Sequence, residues 1–397
     1  MNVPKVLIIG IDGFDPVLLR QAMDEGRAPN CARLQKHGTF KKLATANPAQ
    51  SPVAWASLAT GMNPGHHGLF DFIARDPAAH LPTLAILDVN TRNLFGKRSD
   101  MFRPVLHGTP FWEFTSKNGI PTSVIKWPVN FPPQAVRGNA LAGLGVPDVR
   151  TTLGRYTLFT TSQELYDDPK GDIVPLTKNG LQYAAAFPGP NKSKLQFQID
   201  VRSTSEVSVT IQGVTTTLAL NAWSPWIKLA FPHMLGQRIA AQVRLFLASV
   251  EPLKLYATSP HVDPAKPAFP ISYPDSYAQE LFRAIGPYHT LGLPEETNGV
   301  IDETLPFDGF VELIRDIQQE RENMLWDALS KFREGVLAFV FDTIDRAQHI
   351  FWMTRDDGHP LYNEATNRYE TVIREYYERM DTVIGRVLDQ IDENTTL

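Results

Sequence analysis

Ser51, Asp12, Asp345 and His349 are the residues whose types and spacings best suit chemistry. Ser51 opens the stretch "SPVAWASLATG", in which a proline and a helix-favouring run follow it. Such a serine either caps the helix or presents its hydroxyl to an anion at the helix N-terminus. As a nucleophile it needs a base or a metal to lower its pKa. The chain has no G-x-S-x-G elbow and no P-loop pattern, so metal activation is the more natural route. Asp345 and His349 stand four residues apart in "FDTIDRAQH". On a helical turn they share one face and can bind one metal, or they form an ordinary exposed pair. Carboxylate plus imidazole suits zinc or manganese better than calcium or magnesium. A divalent ion would also neutralise charge developing on a phosphoryl group.

The acids need elements to hold them. Asp12 ends the apolar run "KVLIIGID", and Asp342 ends a second run, "VLAFVFD". Short continuous apolar runs of this kind suit strands buried on both faces of a parallel sheet. Functional groups gather at the carboxyl ends of such strands, although an Asp there can also cap the next turn. His66 and His67 in "NPGHHG" are either further ligands or turn residues beside glycine. The single cysteine, Cys31, excludes an internal disulfide framework and reads as a small buried hydrophobe.

Between these landmarks the text alternates strand and helix. A helix is expected over Pro16–His37, a strand at "GTFKKLATA", and then the Ser51 helix. "PFWEFTSKNGIPTSVIK" reads as a helix, a turn at Gly119 and a strand at Thr122–Lys126. This order predicts an α/β fold with a largely parallel sheet flanked by helices. From Lys194 the period changes to two, with Leu195, Phe197, Ile199 and Val201, then Val207, Val209 and Ile211. That pattern predicts antiparallel strands with one wet face. The expected organisation is a first core segment over 1–150, an inserted region over 151–300 that is β-rich at about 187–262, and a return to the core over 301–397. The return holds a long helix from Asp308, the strand "VLAFVFD" and a last amphipathic helix over Ala365–Gln390.

Composition narrows the classes. The 397 residues carry 38 basic and 43 acidic side chains, a net charge of -5, which is no electrostatic footprint for nucleic acid. No apolar stretch approaches the roughly 18–20 residues of a membrane span. The N-terminal apolar run is short and interrupted by Gly10 and Asp12, unlike a signal peptide. A cytoplasmic protein acting on a small molecule is the expectation; oligomeric state is not legible.

Taken in order, "VLIIGIDGFDP", "SPVAWASLATGMNPGHHGLFDF", "VFDTIDRAQHIFW" and "YYERMDTVIGRVLDQI" resemble the alkaline phosphatase superfamily. The likeness is to its type I phosphodiesterase and nucleotide pyrophosphatase branch, in a bacterial and archaeal subgroup with an insertion. The resemblance implies two divalent metal ions, zinc or alternatively manganese. Asp12 and Ser51 would touch one, and Asp345 and His349 the other. It implies Ser51 as nucleophile, a phosphoserine intermediate, and a phosphate ester or pyrophosphate as substrate. A phosphomutase or phosphomonoesterase of the same superfamily, or a non-catalytic binding remnant, are the alternatives.

Two departures from the family pattern set further expectations. The family's Asp-His-Gly motif and later His do not occur, so the chain is expected to be a fragment with impaired activity and weak metal binding. Relatives that cleave nucleotides carry an Asn soon after "HG", where this chain has Asp71 and Phe72. Arg75 and Lys126 would then be replacement phosphate contacts, or members of surface salt bridges.

Overall fold

A computed structural model describes residues 3–89, 101–164, 166–180, 182–233 and 236–397. Its central sheet has six strands in the order Ser272–Tyr273, Ala140–Ala142, Thr122–Trp127, Gly335–Phe341, Lys5–Ile11 and Thr395–Thr396. Every neighbouring pair is parallel except the first, at Ser272–Tyr273. The two apolar runs are direct partners, in register from Lys5 opposite Gly335 to Ile11 opposite Phe341.

Strand alternation divides the core between two faces. Leu337, Phe339 and Phe341 point to one side and pack with Met324 and Leu325 of the helix Phe307–Lys331. Met380, Val383 and Val387 of the helix Val372–Gln390 join the same cluster. Ala338 and Val340 point to the other side, against Trp55, Ala56 and Ala59 of the helix Ser51–Thr60. The small Ala338 suits this side, where the bulk comes from Trp55, Trp112 and Trp127. The fold is the α/β arrangement that the alternation of elements predicts.

Three local expectations are corrected. The stretch Pro16–His37 is two helices, Pro16–Asp24 and Pro29–His37. Gly26 takes a left-handed φ of +73° between them, and Pro29 cannot extend the preceding turn. "GTFKKLATA" is not a strand, and its residues are largely exposed without a sheet partner. The last helix begins at Val372, preceded by a tighter turn over Glu364–Tyr369.

Strands between the two core segments run from Thr157 to Val262. Five of them form an antiparallel sheet from Thr177–Asn179 to Val214–Ala219. Leu195, Phe197, Ile199, Val207, Val209 and Ile211 face its core. Val201 breaks that pattern and is 41% exposed, because the register shifts between Val201 and Ser203. The inserted sheets share one apolar cluster with Phe131 and Ala142, so they pack directly on the edge of the central sheet.

Candidate active site

The central sheet brings Asp12 and Asp342 side by side at the carboxyl ends of its paired strands. Asp12 N–H donates to the Phe341 carbonyl at 2.8 Å. The Ser51 helix then lies over the end of the first strand. Gly10 permits this approach, since a Cβ there would meet the Trp55 ring at 2.4 Å. Ser51 and Trp55 are four apart and so share a helix face. Both donate to Asp12 Oδ1, each at 3.1 Å.

The cap reading of Ser51 does not hold. Gln50, in extended conformation, occupies the cap position, and Ser51 is the first helical residue. Among the described residues no side chain caps this helix end. The hydroxyl is turned to the carboxylate of Asp12 instead of to the backbone.

The helix Thr343–Phe351 completes the site. Gly13, at φ +70°, lets it approach the first strand, because a Cβ at Gly13 would fall 2.8 Å from Asp345 Cα. Gln348 Nε2 donates to the Gly13 carbonyl at 2.6 Å and holds the contact. Asp345 and His349 share a face, with His349 Nε2 3.4 Å from Asp345 Oδ2. That Asp345 oxygen is buried and, among the described residues, makes no hydrogen bond. Arg346 Nη2 lies 3.5 Å from it.

Electrostatics mark Asp12. Burial pushes its carboxyl up to about 6, the negative charge of Asp345 pushes the same way, and the Trp55 and Ser51 donors only partly offset them. Two carboxylates that repel, one with an oxygen lacking a hydrogen-bond partner, are groups that a divalent cation would relieve. Among the described residues, however, no three His, Cys, Asp or Glu side chains form a group that could hold a metal ion. The donors fit as two pairs, Asp12 with Ser51 and Asp345 with His349, and not as a full coordination shell.

The other candidates fall elsewhere. Asp342 is buried against Arg321, whose Nε donates to it at 3.1 Å. His67 is buried in the turn Pro64–His67, accepting from Leu69 N at Nδ1 and facing Ser57 Oγ at 3.0 Å through Nε2. His66 is exposed beside Asn63. Cys31 is buried. Arg75 is exposed. Lys126 is no surface salt bridge: it is 2% exposed, with φ +60°, and burial pushes its ammonium down to about 7.

Sequence reasoning missed three residues at the site. Trp55 could have been found from its four-residue spacing after Ser51. Arg346 and Gln348 carried no signal beyond lying between Asp345 and His349.

A family model described as type I phosphodiesterase / nucleotide pyrophosphatase matches residues 6–219, which include Asp12 and Ser51. No curated protein matches the chain.

Proposed function

This chain belongs to the type I phosphodiesterase / nucleotide pyrophosphatase family, within the alkaline phosphatase superfamily, and we propose that Ser51 is its nucleophile in metal-dependent hydrolysis of a small phosphate ester. The family is one of hydrolases acting on phosphodiester and pyrophosphate bonds. The observation that carries the reading is the Ser51 Oγ hydrogen bond to Asp12 Oδ1 at 3.1 Å, at the end of the first strand.

In this reading Ser51 Oγ attacks phosphorus as the alkoxide, its proton released to solvent, and its contact with Asp12 Oδ1 positions that oxygen. The ester oxygen leaves with the electron pair of the broken P–O bond and takes a proton from water, which leaves a phosphoserine. Water then cleaves the new P–O bond and restores the hydroxyl. Trp55 Nε1 fixes the Asp12 carboxylate so that Oδ1 faces the serine. Gln348 anchors the Asp345 helix against the Gly13 turn. Two divalent cations, zinc or manganese, would be held by Asp12 with Ser51 and by Asp345 with His349, and when bound they would supply charge neutralisation and nucleophile activation.

The test is turnover of an aryl phosphodiester and of the matching monoester, with zinc or manganese supplied. A diesterase favours the first, and a phosphomonoesterase or mutase the second. Ser51→Ala should cost at least about a thousandfold in kcat, and intact-mass measurement of acid-quenched protein should show a phosphoryl adduct that the variant lacks. Substantial residual turnover in Ser51→Ala sinks the nucleophile assignment. The paired rather than grouped donors favour a second reading, in which the chain binds a phosphate ester without turning it over. That reading predicts saturable binding with no adduct.

A further inference from the structure

A cavity of about 270 Å³ opens beside the candidate site, and Arg346 lines it. The Arg346 guanidinium reaches toward Asp345 on one side, while its buried Nε has no hydrogen-bond partner. Its charge is felt by Asp12 and also by Glu295, which lines the cavity. Arg346 thus forms a wall shared by the cavity and the Asp345 side of the site. Its lining also includes Thr297 and Asn298, and among the described residues neither makes a side-chain hydrogen bond. Phe72 and Leu293 supply apolar surface alongside them.

We propose that this cavity is the subsite for a sugar or polyol substituent of the phosphate ester handled at Ser51, a reading that rests on the phosphoryl-transfer assignment of that site. A hydroxyl and an amide together offer donors and acceptors, the pattern that adjacent hydroxyls on a ring require. Phe72, which lines the cavity, supplies apolar ring surface for the C–H side of such a ring. The volume lies at the small end for ligand pockets, so one ring fits better than a nucleoside. A cationic amine suits the cavity poorly. Burial pushes the carboxyls of Glu295 and Glu296 up to about 8, so both are largely neutral at pH 7 and leave Arg346 as the local charge.

Calorimetric titration of the intact chain, with zinc or manganese supplied, with methyl phosphate, glucose 1-phosphate and phosphocholine tests this. Glucose 1-phosphate should bind about tenfold tighter than methyl phosphate, a margin of about 1.4 kcal/mol. Asn298→Ala, and separately Thr297→Val, should shrink that ratio, while Arg346→Gln should weaken both phosphates. Equal binding of methyl and glucosyl phosphates, an unchanged ratio in both variants, or tighter binding of phosphocholine would each overturn the subsite. If methyl phosphate binds without a sugar preference, the subsite alone falls. If no phosphate binds, the reading of Ser51 as a phosphoryl-transfer centre falls with it.

Discussion

Asp12 and Asp342 end neighbouring strands whose last residues, Ile11 and Phe341, are paired. The same residue type at the same level of one sheet has two opposite fates. Asp342 is 8% exposed and faces Arg321, which is fully buried. Burial alone would raise Asp342, but Arg321, and then Lys126, hold it below the ordinary carboxylate range. Asp12 has no cation in contact. Its neighbours are a hydroxyl, an indole N–H and the like charge of Asp345, and its carboxyl sits at about 6. The difference is a permanent counter-ion. A carboxylate with its own guanidinium is part of the scaffold, whereas one left facing another carboxylate keeps an electrostatic cost that an exchangeable cation can relieve.

The largest effect should come from breaking the satisfied acid. Arg321→Met leaves Asp342 buried and unpaired and should cost about 3–5 kcal/mol, read from urea denaturation. Replacing both partners, Arg321→Met with Asp342→Leu, should recover most of that loss. A single-variant loss below about 1 kcal/mol would remove the distinction between the two acids. The unsatisfied acid should respond to cations instead. Zinc or manganese at a hundred times its Kd should stabilise the wild type by about 2.7 kcal/mol, seen as a rise in Tm. Asp12→Asn and Asp345→Asn should each reduce that rise sharply, while equal rises in all three proteins would separate the cation from these acids.

The two apolar runs announced themselves as paired parallel strands, because burial on both faces leaves a continuous aliphatic signal. Both acids were therefore visible as candidates. What separates them was not visible, because Arg321 comes from the middle of a long helix and reaches Asp342 only through tertiary packing. Ser51 misled for a related reason. Its proline partner marks a helix start correctly, but which residue occupies the cap depends on backbone angles one position earlier, at Gln50. Lys126 misled because its charge suggested a surface, while its position at the end of a central strand buries it.

Asp12→Asn should also move stability in the direction opposite to Arg321→Met. Because the folded pKa of Asp12 is raised from 3.8 to about 6, its favourable contribution is complete below the lower value and is lost as pH rises through the upper one. Asparagine carries no such loss. In metal-free buffer at pH 7 the variant should be more stable than wild type by about 3 kcal/mol, while turnover disappears. At pH 3.5 the two should converge. A variant that is less stable than wild type at pH 7 would mean that Asp12 is structurally satisfied in some other way.

The smallest effect concerns the neutral acids lining the Arg346 cavity. Glu295 and Glu296 have folded pKa values raised from 4.5 to about 8 by burial. Their stabilising contribution is thus present below pH 4.5 and fades as pH rises through about 8. The buried His261 and His289 are held well below 6.5, so they lose stability only as pH falls beneath that value. Between pH 6.5 and 8 the histidines are silent, and Lys126, pushed down to about 7, adds stability as pH rises. The informative quantity is therefore the difference between wild type and Glu295→Gln across that interval. Wild type should lose about 1.6 kcal/mol relative to the variant, measured by denaturant titration at both pH values. An unchanged difference would mean that Glu295 is already ionised at neutral pH, and Arg346 would then share its cavity with a fixed negative charge.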